Sequence, residues 1–299
     1  MKFSRSSRSR GDGSPDVTGF YDDDTGSIQY LVSDPDTKRA ALIDVLLGFS
    51  PESASVDTAS AEAILRYAEN EGLEIDWILD THPHADHLMA SSFLKKRLNK
   101  PNGIGNRVVE IADLWRDYYN LPHAFDAPAD FDHLFQDGDT FNIGNLPVRV
   151  MLSPGHTLGS ITYIIGDDAA FVHDTFMQPD VGTSRADFPG GAASDLYRSL
   201  QNILKLPDNT RLFVGHDYGT EYRKLPEWEA TVGEQRKHNG HIGGGVPEDV
   251  FIEQREARDK TLALPDRMLH VLQMNLRAGR LPDAETGEKR FLKIPLNAF

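Results

Sequence analysis

The chain has 299 residues, of which 39% are apolar and 26% charged, enough for one large folded domain or two small ones of the soluble globular class. Thirty-one basic against 46 acidic side chains leave a formal net charge of −15, which argues against a nucleic-acid backbone or an anionic membrane as the main partner. There is no cysteine, so disulfides, thiolate metal sites and cysteine nucleophiles are excluded, and any metal must be held by histidine and carboxylate.

The opening MKFSRSSRSR is basic and Ser-rich without an acid or an apolar core. Residues 1–16 are therefore expected to be a flexible leader rather than a secretory signal. No apolar run approaches the ~18 residues of a membrane-spanning helix. Ser27 to Val32 and Arg39 to Leu46 read as two strands joined by the turn Asp34-Pro35-Asp36. Thr58 to Glu71 reads as a helix, apolar at Ala61, Ile64, Leu65 and Ala68 and stopped by Gly72. Ile75 to Leu79 is a buried strand, with helices expected over Leu88 to Leu98 and Arg107 to Tyr119 and irregular chain from Asn120 to Asp139. Strand patterns return at Val148 to Leu152, Ser160 to Ile165, Ala169 to His173 and Arg211 to Val214. A helix from about Ser194 to Leu206, N-capped by Ser194, separates the last two. Beyond position 225 the pattern is helical, over Pro226 to His238, Pro247 to Lys260 and Pro265 to Arg277, each opening on a proline suited to a first helical turn. Two mixed sheets with helices outside satisfy this order. Residues 17–240 are expected to form the main domain and 241–299 a helical extension packed on it.

Chemistry concentrates at the ends of the expected strands. Thr81-His82-Pro83-His84-Ala85-Asp86-His87 places three of the chain's 11 histidines and a carboxylate directly after Trp77-Ile78-Leu79. His156 follows the turn-forming Pro154-Gly155, Asp174 ends the run Ala169 to His173, and His216 follows Leu212-Phe213-Val214-Gly215. A ligand at the carboxyl end of a strand is held by a rigid sheet yet faces a cleft, as a catalytic metal requires.

This ordered set resembles that of the metallo-β-lactamase superfamily over roughly Val17 to Asp217, which implies an αββα sandwich with a C-terminal helical extension. The resemblance implies two potential metal subsites, His82, His84 and His156 for one and Asp86, His87 and His216 for the other, with Asp174 between them. Asp44 matches an acidic residue that orients ligands in that family. The segment from Asp174 to Gly191, with Arg185, Asp187 and Phe188 before a Gly pair, is similar to the persulfide dioxygenase branch, related to the mitochondrial ethylmalonic encephalopathy protein. The tail Gln273 to Pro282 is similar to that of longer bacterial members named beta-lactamase hydrolase-like.

That branch implies one Fe(II) per chain held by His82, His156 and Asp174. The reaction implied is oxidation of glutathione persulfide by O2 to sulfite and glutathione. A face of two histidines and one carboxylate leaves open positions for sulfur and dioxygen. His84, Asp86, His87, His216 and Asp44 would then orient ligands or handle protons, Arg185 would meet a substrate carboxylate and Tyr218 the substrate backbone. Two positions depart from the branch. His173 stands where Gly is usual and is expected to point outward from its strand, and Ala186 replaces a Cys. The alternative is a glyoxalase II-like thioester hydrolase with two metals (Zn, Fe or Mn), since all seven ligand candidates are present. A non-enzymatic persulfide-binding module or a phosphodiesterase fits less well, the latter for want of a basic patch. A homodimer and a cytoplasmic location are expected, or the mitochondrial matrix if the source is eukaryotic.

Overall fold

A computed structural model of the chain describes residues 3–298. Strands and helices are numbered in chain order. One sheet has the order β1 (Phe3–Ser7), β2 (Asp16–Tyr21), β3 (Ile28–Ser33), β4 (Arg39–Ile43), β7 (Glu74–Leu79), β9 (Asn102–Gly105) and β10 (His133–Phe135). Its first four strands are an antiparallel meander and the rest run parallel. The second sheet is β11 (Thr140–Ile143), β12 (Leu146–Leu152), β13 (Ile161–Ile165), β14 (Ala169–His173), β15 (Arg211–Val214) and β16 (Glu229–Thr231), with β14 and β15 its one parallel pair. A small third sheet joins β6 (Ser55–Asp57), β5 (Leu46–Ser50) and β8 (Leu88–Met89).

Alternation along the strands builds the layers. In β3, Ile28, Tyr30 and Val32 face Val148, Val150 and Tyr163 between the sheets. Leu31 points the other way, toward Ile64 of α1 (Ala59–Asn70) and Leu94 of α2 (Ser91–Leu98). Both faces of the strand are buried, so its Tyr30, Leu31 and Val32 form a continuous apolar run. α5 (Ala193–Ile203) lays Leu196, Leu200 and Ile203 against the second sheet, completing a helix–sheet–sheet–helix sandwich. A third cluster gathers α3 (Val108–Tyr119), α4 (Ala127–Asp130) and α8 (Met268–Asn275) around Met89 and Ile104. α6 (Val232–His238) and α7 (Glu248–Asp259) join the core between the sheets and α5 through Val232 and Phe251. No helix among the described residues is long and apolar enough to cross a membrane.

The N-terminal segment is not the flexible leader its composition suggests. Phe3–Ser7 pairs with β2 from Phe3↔Tyr21 to Ser7↔Val17 as an edge strand. The buried Arg211 guanidinium donates to Ser7 Oγ, Ser14 Oγ and the Pro15 carbonyl oxygen and pairs with Asp168 at 2.9 Å. Exposed polar and basic side chains are what a solvent-facing edge carries, so the same residues read as disorder in sequence. Met1 and Lys2 lie outside the described residues.

Other expected elements also differ, among them the helix expected from Pro265, which begins at Met268, and the chain from Asn120 to Asp139, which holds α4 and β10. The strand from Arg39 stops at Ile43 because Asp44 takes φ +51°, which turns the chain out of the sheet. The helix expected from Pro226 begins only at Val232, since Glu229–Thr231 pairs with β15 and Thr231 then caps α6 in a reciprocal box with Glu234. Leu88–Met89 pairs with β5, which delays α2 to Ser91. Ser194 lies inside α5, whose N-cap is Ala192.

Candidate metal centre

Four strand ends deliver the site. The loop after β7 carries His82 to His87, that after β12 carries His156, β14 runs into Asp174, and β15 into His216. Two glycines permit this convergence. A Cβ at Gly155 would stand 2.2 Å from the Leu196 backbone nitrogen, so only Gly lets the His156 loop pass α5, and its φ of +133° requires Gly as well. A Cβ at Gly215 would stand 2.6 Å from Asp174 Oδ1.

His82 Nε2 and His156 Nε2 lie 3.6 and 3.5 Å from Asp174 Oδ2, and one ligand atom from each of the three falls within 4.8 Å of the others. His84, Asp86 and His87 form a second group of the same kind. The tautomers are set from behind. Thr81 Oγ1 donates its only proton to Asp44 Oδ2, so at 3.0 Å it accepts from His82 Nδ1–H. His156 Nδ1–H donates to the Arg185 carbonyl oxygen at 2.9 Å. Both rings therefore present a bare Nε2 to the cavity. The Asp174 backbone carbonyl accepts from Ser184 Oγ.

Asp44 also accepts from the Thr81 N–H at 2.8 Å and approaches His84 Nε2 to 3.1 Å, at an angle that makes no hydrogen bond. His216 bridges two carboxylates, with Nδ1 2.5 Å from Asp174 Oδ1 and Nε2 2.7 Å from Asp86 Oδ2. The residues fit a divalent cation. His82 Nε2, both nitrogens of His84 and His87 Nε2 are buried without a hydrogen-bond partner, a cost that metal ligation would remove.

Charge divides the imidazoles: burial opposes a charge on His84, but the neighbouring Asp44 outweighs it and raises the group, while three others are lowered. Burial and the neighbouring His84, His156 and His173 hold His82 well below the ordinary imidazole range, and burial lowers His156 and His87. These rings are neutral and free to ligate. His216 moves the other way: burial opposes its charge, but Asp174 and Asp86 outweigh it and raise the group well above its usual value. Asp174 is held low, because His216 and His156 overcome the burial that would raise it.

His173 is not the outward strand residue expected. The β14–β15 register slips between Phe171 and His173, and His173 takes φ +39°, which re-aims its side chain inward. The ring is buried, with its centroid 5.1 Å from that of His82.

A cleft of about 420 Å³ opens over Asp174 and His156. Arg185 reaches its wall, but its fork is held by Asp187 at 2.6 and 2.8 Å and by the Ala263 carbonyl oxygen at 2.6 Å, not free for a substrate carboxylate. Tyr218 stands at the rim, 66% exposed and stacked on His216, rather than in the core. Ala186 is buried and its N–H donates to Asp259 at 2.9 Å.

Three contributors escaped the sequence reading. Asn275 donates to the carbonyl oxygens of His84 and His87. The buried Arg255–Asp259 pair holds the segment from Thr183 to Ala186. Arg258, bonded to Thr261 Oγ1, is the arginine on the cleft wall without a carboxylate partner among the described residues. Asn275 lies in the tail Gln273 to Pro282 whose similarity the sequence shows, the others carry no local motif, and all sit in the expected helical extension.

Similarity to known proteins agrees with this geometry. The chain is 55% identical over 285 residues to the beta-lactamase hydrolase-like protein of Xylella fastidiosa (strain 9a5c), covering 95% of this chain but only 65% of that relative's length. It is 43% identical to a probable metallo-hydrolase of Burkholderia pseudomallei (strain 1710b), over 95% of this chain and 99% of that one. The crystal structure of ETHE1 from Myxococcus xanthus superposes with a TM-score of 0.70 at 26% identity, covering 88% of this chain and 98% of that chain. A match to the metallo-beta-lactamase superfamily spans residues 24–216, the stretch that carries every candidate ligand from His82 to His216, and on that ground the chain belongs to the superfamily.

Proposed function

We propose that the protein is an Fe(II)-dependent persulfide dioxygenase that converts glutathione persulfide, O2 and water to glutathione and sulfite. The observation that carries the reading is the buried grouping of His82, His156 and Asp174, of which His156 and Asp174 line the cleft. Two histidines and one carboxylate are the donor set of oxygen-using ferrous sites. The resemblance of the segment from Asp174 to Gly191 to the persulfide dioxygenase branch, and the likeness to ETHE1 of Myxococcus xanthus, support the same reading.

An iron ion bound there supplies the one-electron chemistry that O2 and a sulfane sulfur need to react. The chain's own part is orientation, exclusion of water and proton handling. Thr81 and the Arg185 carbonyl fix the His82 and His156 tautomers. Met177, Phe188 and Leu262 line the cleft and keep water from the sulfur. His216 donates Nδ1–H to Asp174 Oδ1 and Nε2–H to Asp86 Oδ2, and in this reading it supplies the proton that the departing thiolate takes up. Arg258 stands ready to bind an anionic end of the substrate.

A binuclear thioester hydrolase is the second reading, favoured by the additional His84, Asp86 and His87 group and by the relative named as a probable metallo-hydrolase. Elemental analysis of protein purified without added metal, with an oxygen-electrode trace on glutathione persulfide, decides between them. One iron per chain and O2 uptake are expected. Two metals per chain, no O2 uptake and hydrolysis of a glutathione thioester would overturn the proposal.

A further inference from the structure

His173 combines features that each make a protein less stable. Its backbone sits at φ +39°, in the left-handed region that disfavours a side chain with a Cβ. It lies at a register slip of β14 against β15. Its Nδ1 is buried with no hydrogen-bond partner, although the residue is only 2% exposed. Such costs persist where the surroundings over-determine the conformation, most often beside a site that needs it.

The contacts of the ring say what that need is. His173 Nε2 is hydrogen-bonded to Thr175 Oγ1 at 2.9 Å, with Ser153 Oγ at 3.3 Å, itself bonded to Thr162. The bond to Thr175 spans Asp174, tying together the residues on either side of the carboxylate. The Thr175 N–H donates back to the Val172 carbonyl oxygen, which closes the turn further. The same ring lies 5.1 Å from His82 and 6.5 Å from His156, centroid to centroid. His82 thus has three imidazoles around it, His84 at 4.1 Å and His156 and His173 each at 5.1 Å.

We infer that His173 is a positioning residue for the metal: an imidazole bracket that joins Thr175 across Asp174 and backs His82, so that His82, His156 and Asp174 converge before an ion arrives. A glycine at 173 would relieve the backbone and remove the unpartnered nitrogen. It would also leave a hole behind His82 and free the Asp174 turn. The residue therefore exchanges stability of the metal-free fold for affinity toward the metal. Groups that support metal ligands from behind in this way change affinity by about 10–100-fold when removed. The inference rests on the ligand set in the proposed function, not on the oxygen chemistry, and holds equally if the reaction is hydrolysis.

The test compares native protein with His173→Gly, His173→Asn and Thr175→Val, all freed of metal. Each is titrated anaerobically with Fe(II) against a competing chelator, and with Co(II) to read ligand geometry from its visible absorption. Thermal unfolding of the metal-free forms is followed alongside. His173→Gly should unfold at the same temperature as native protein or higher, yet bind Fe(II) about 10–100-fold more weakly, with an altered Co(II) spectrum. Thr175→Val should weaken binding in the same sense. Asn tolerates the left-handed backbone and offers an amide oxygen to Thr175, so His173→Asn should bind more tightly than His173→Gly. Fe(II) affinity and a Co(II) spectrum unchanged in His173→Gly and Thr175→Val would overturn the inference. So would His173→Asn binding no better than His173→Gly.

Discussion

Asn275 Nδ2 donates to the carbonyl oxygen of His84 at 2.7 Å, across 191 positions of chain. The same amide donates to the His87 carbonyl oxygen at 2.8 Å and accepts from the Met89 N–H at 2.9 Å. One fully buried side chain at the end of α8 therefore satisfies two backbone groups of the loop that carries four candidate ligands and one of β8 directly after it. Asn275→Leu removes all three partners and buries the loop's polar atoms unpaired, at about 1–3 kcal/mol for each group left unsatisfied. We expect a loss of several kcal/mol by urea unfolding and lower metal content per chain. A variant with native stability and full metal content would show that the loop holds its shape without the amide.

Arg255 and Asp259 pair inside the protein at 2.6 Å, both almost fully buried, and each also grips the cleft segment. Arg255 donates to the Thr183 carbonyl oxygen and Asp259 accepts from the Ala186 N–H. Removing one partner strands the other charge, which costs about 3–5 kcal/mol in buried pairs. Arg255→Met and Asp259→Leu should each destabilise by that amount, and the double variant by less than the sum of the two. Additive losses would mean that the two side chains act independently.

The site was legible in sequence where its residues are local. Apolar strands ending in HxHxDH, PGH, Asp174 and GH announce donors at strand ends, because a strand's period and a turn's Gly or Pro are short-range properties. What stayed hidden depends on distance or on register. Asn275, Arg255 and Asp259 look like ordinary helix residues until the fold brings them to the loops. The inward turn of His173 follows from a slip of β14 against β15, which alternation alone does not reveal. The edge strand Phe3–Ser7 is polar on the side that water sees, so it carries the composition of a disordered tail.

Asp34 couples the two sheets and should make stability depend on pH. Its carboxylate accepts from Thr37 Oγ1, the Asp36 N–H and the Asn145 N–H, the last from the turn between β11 and β12. Burial alone would raise its pKa, but these hydrogen bonds prevail and lower it. A carboxylate held low when folded contributes stability that is complete above the unfolded value, near 4, and is lost as pH falls through the folded value. The stability gap between native protein and Asp34→Asn should therefore be constant near neutrality and shrink below about pH 4. Denaturant titrations of both proteins across that range check it, and a gap that does not change with pH would refute the assignment.

Removing a ligand separates the metal site from the fold around it. His156→Ala deletes a donor whose Nε2 lies 3.5 Å from Asp174 and whose ring packs edge-on against Phe188. The variant should remain folded but lose iron and oxygen uptake. Retention of one iron per chain would remove His156 from the ligand set.

Arg258 and Arg185 both line the cleft, but only Arg185 has its fork closed by a carboxylate. A hydrogen bond to a charged partner is worth about 1.5–3 kcal/mol, or more than tenfold in binding. Arg258→Gln should accordingly raise KM for glutathione persulfide by about tenfold or more, with kcat little changed. Arg185→Gln should instead unseat Asp187 and the Ala263 contact, lowering thermal stability with a smaller rise in KM. Initial rates against persulfide concentration for both variants distinguish them. A KM that rises with Arg185→Gln and stays fixed with Arg258→Gln would mean that the substrate displaces Asp187 and takes its place on the Arg185 fork.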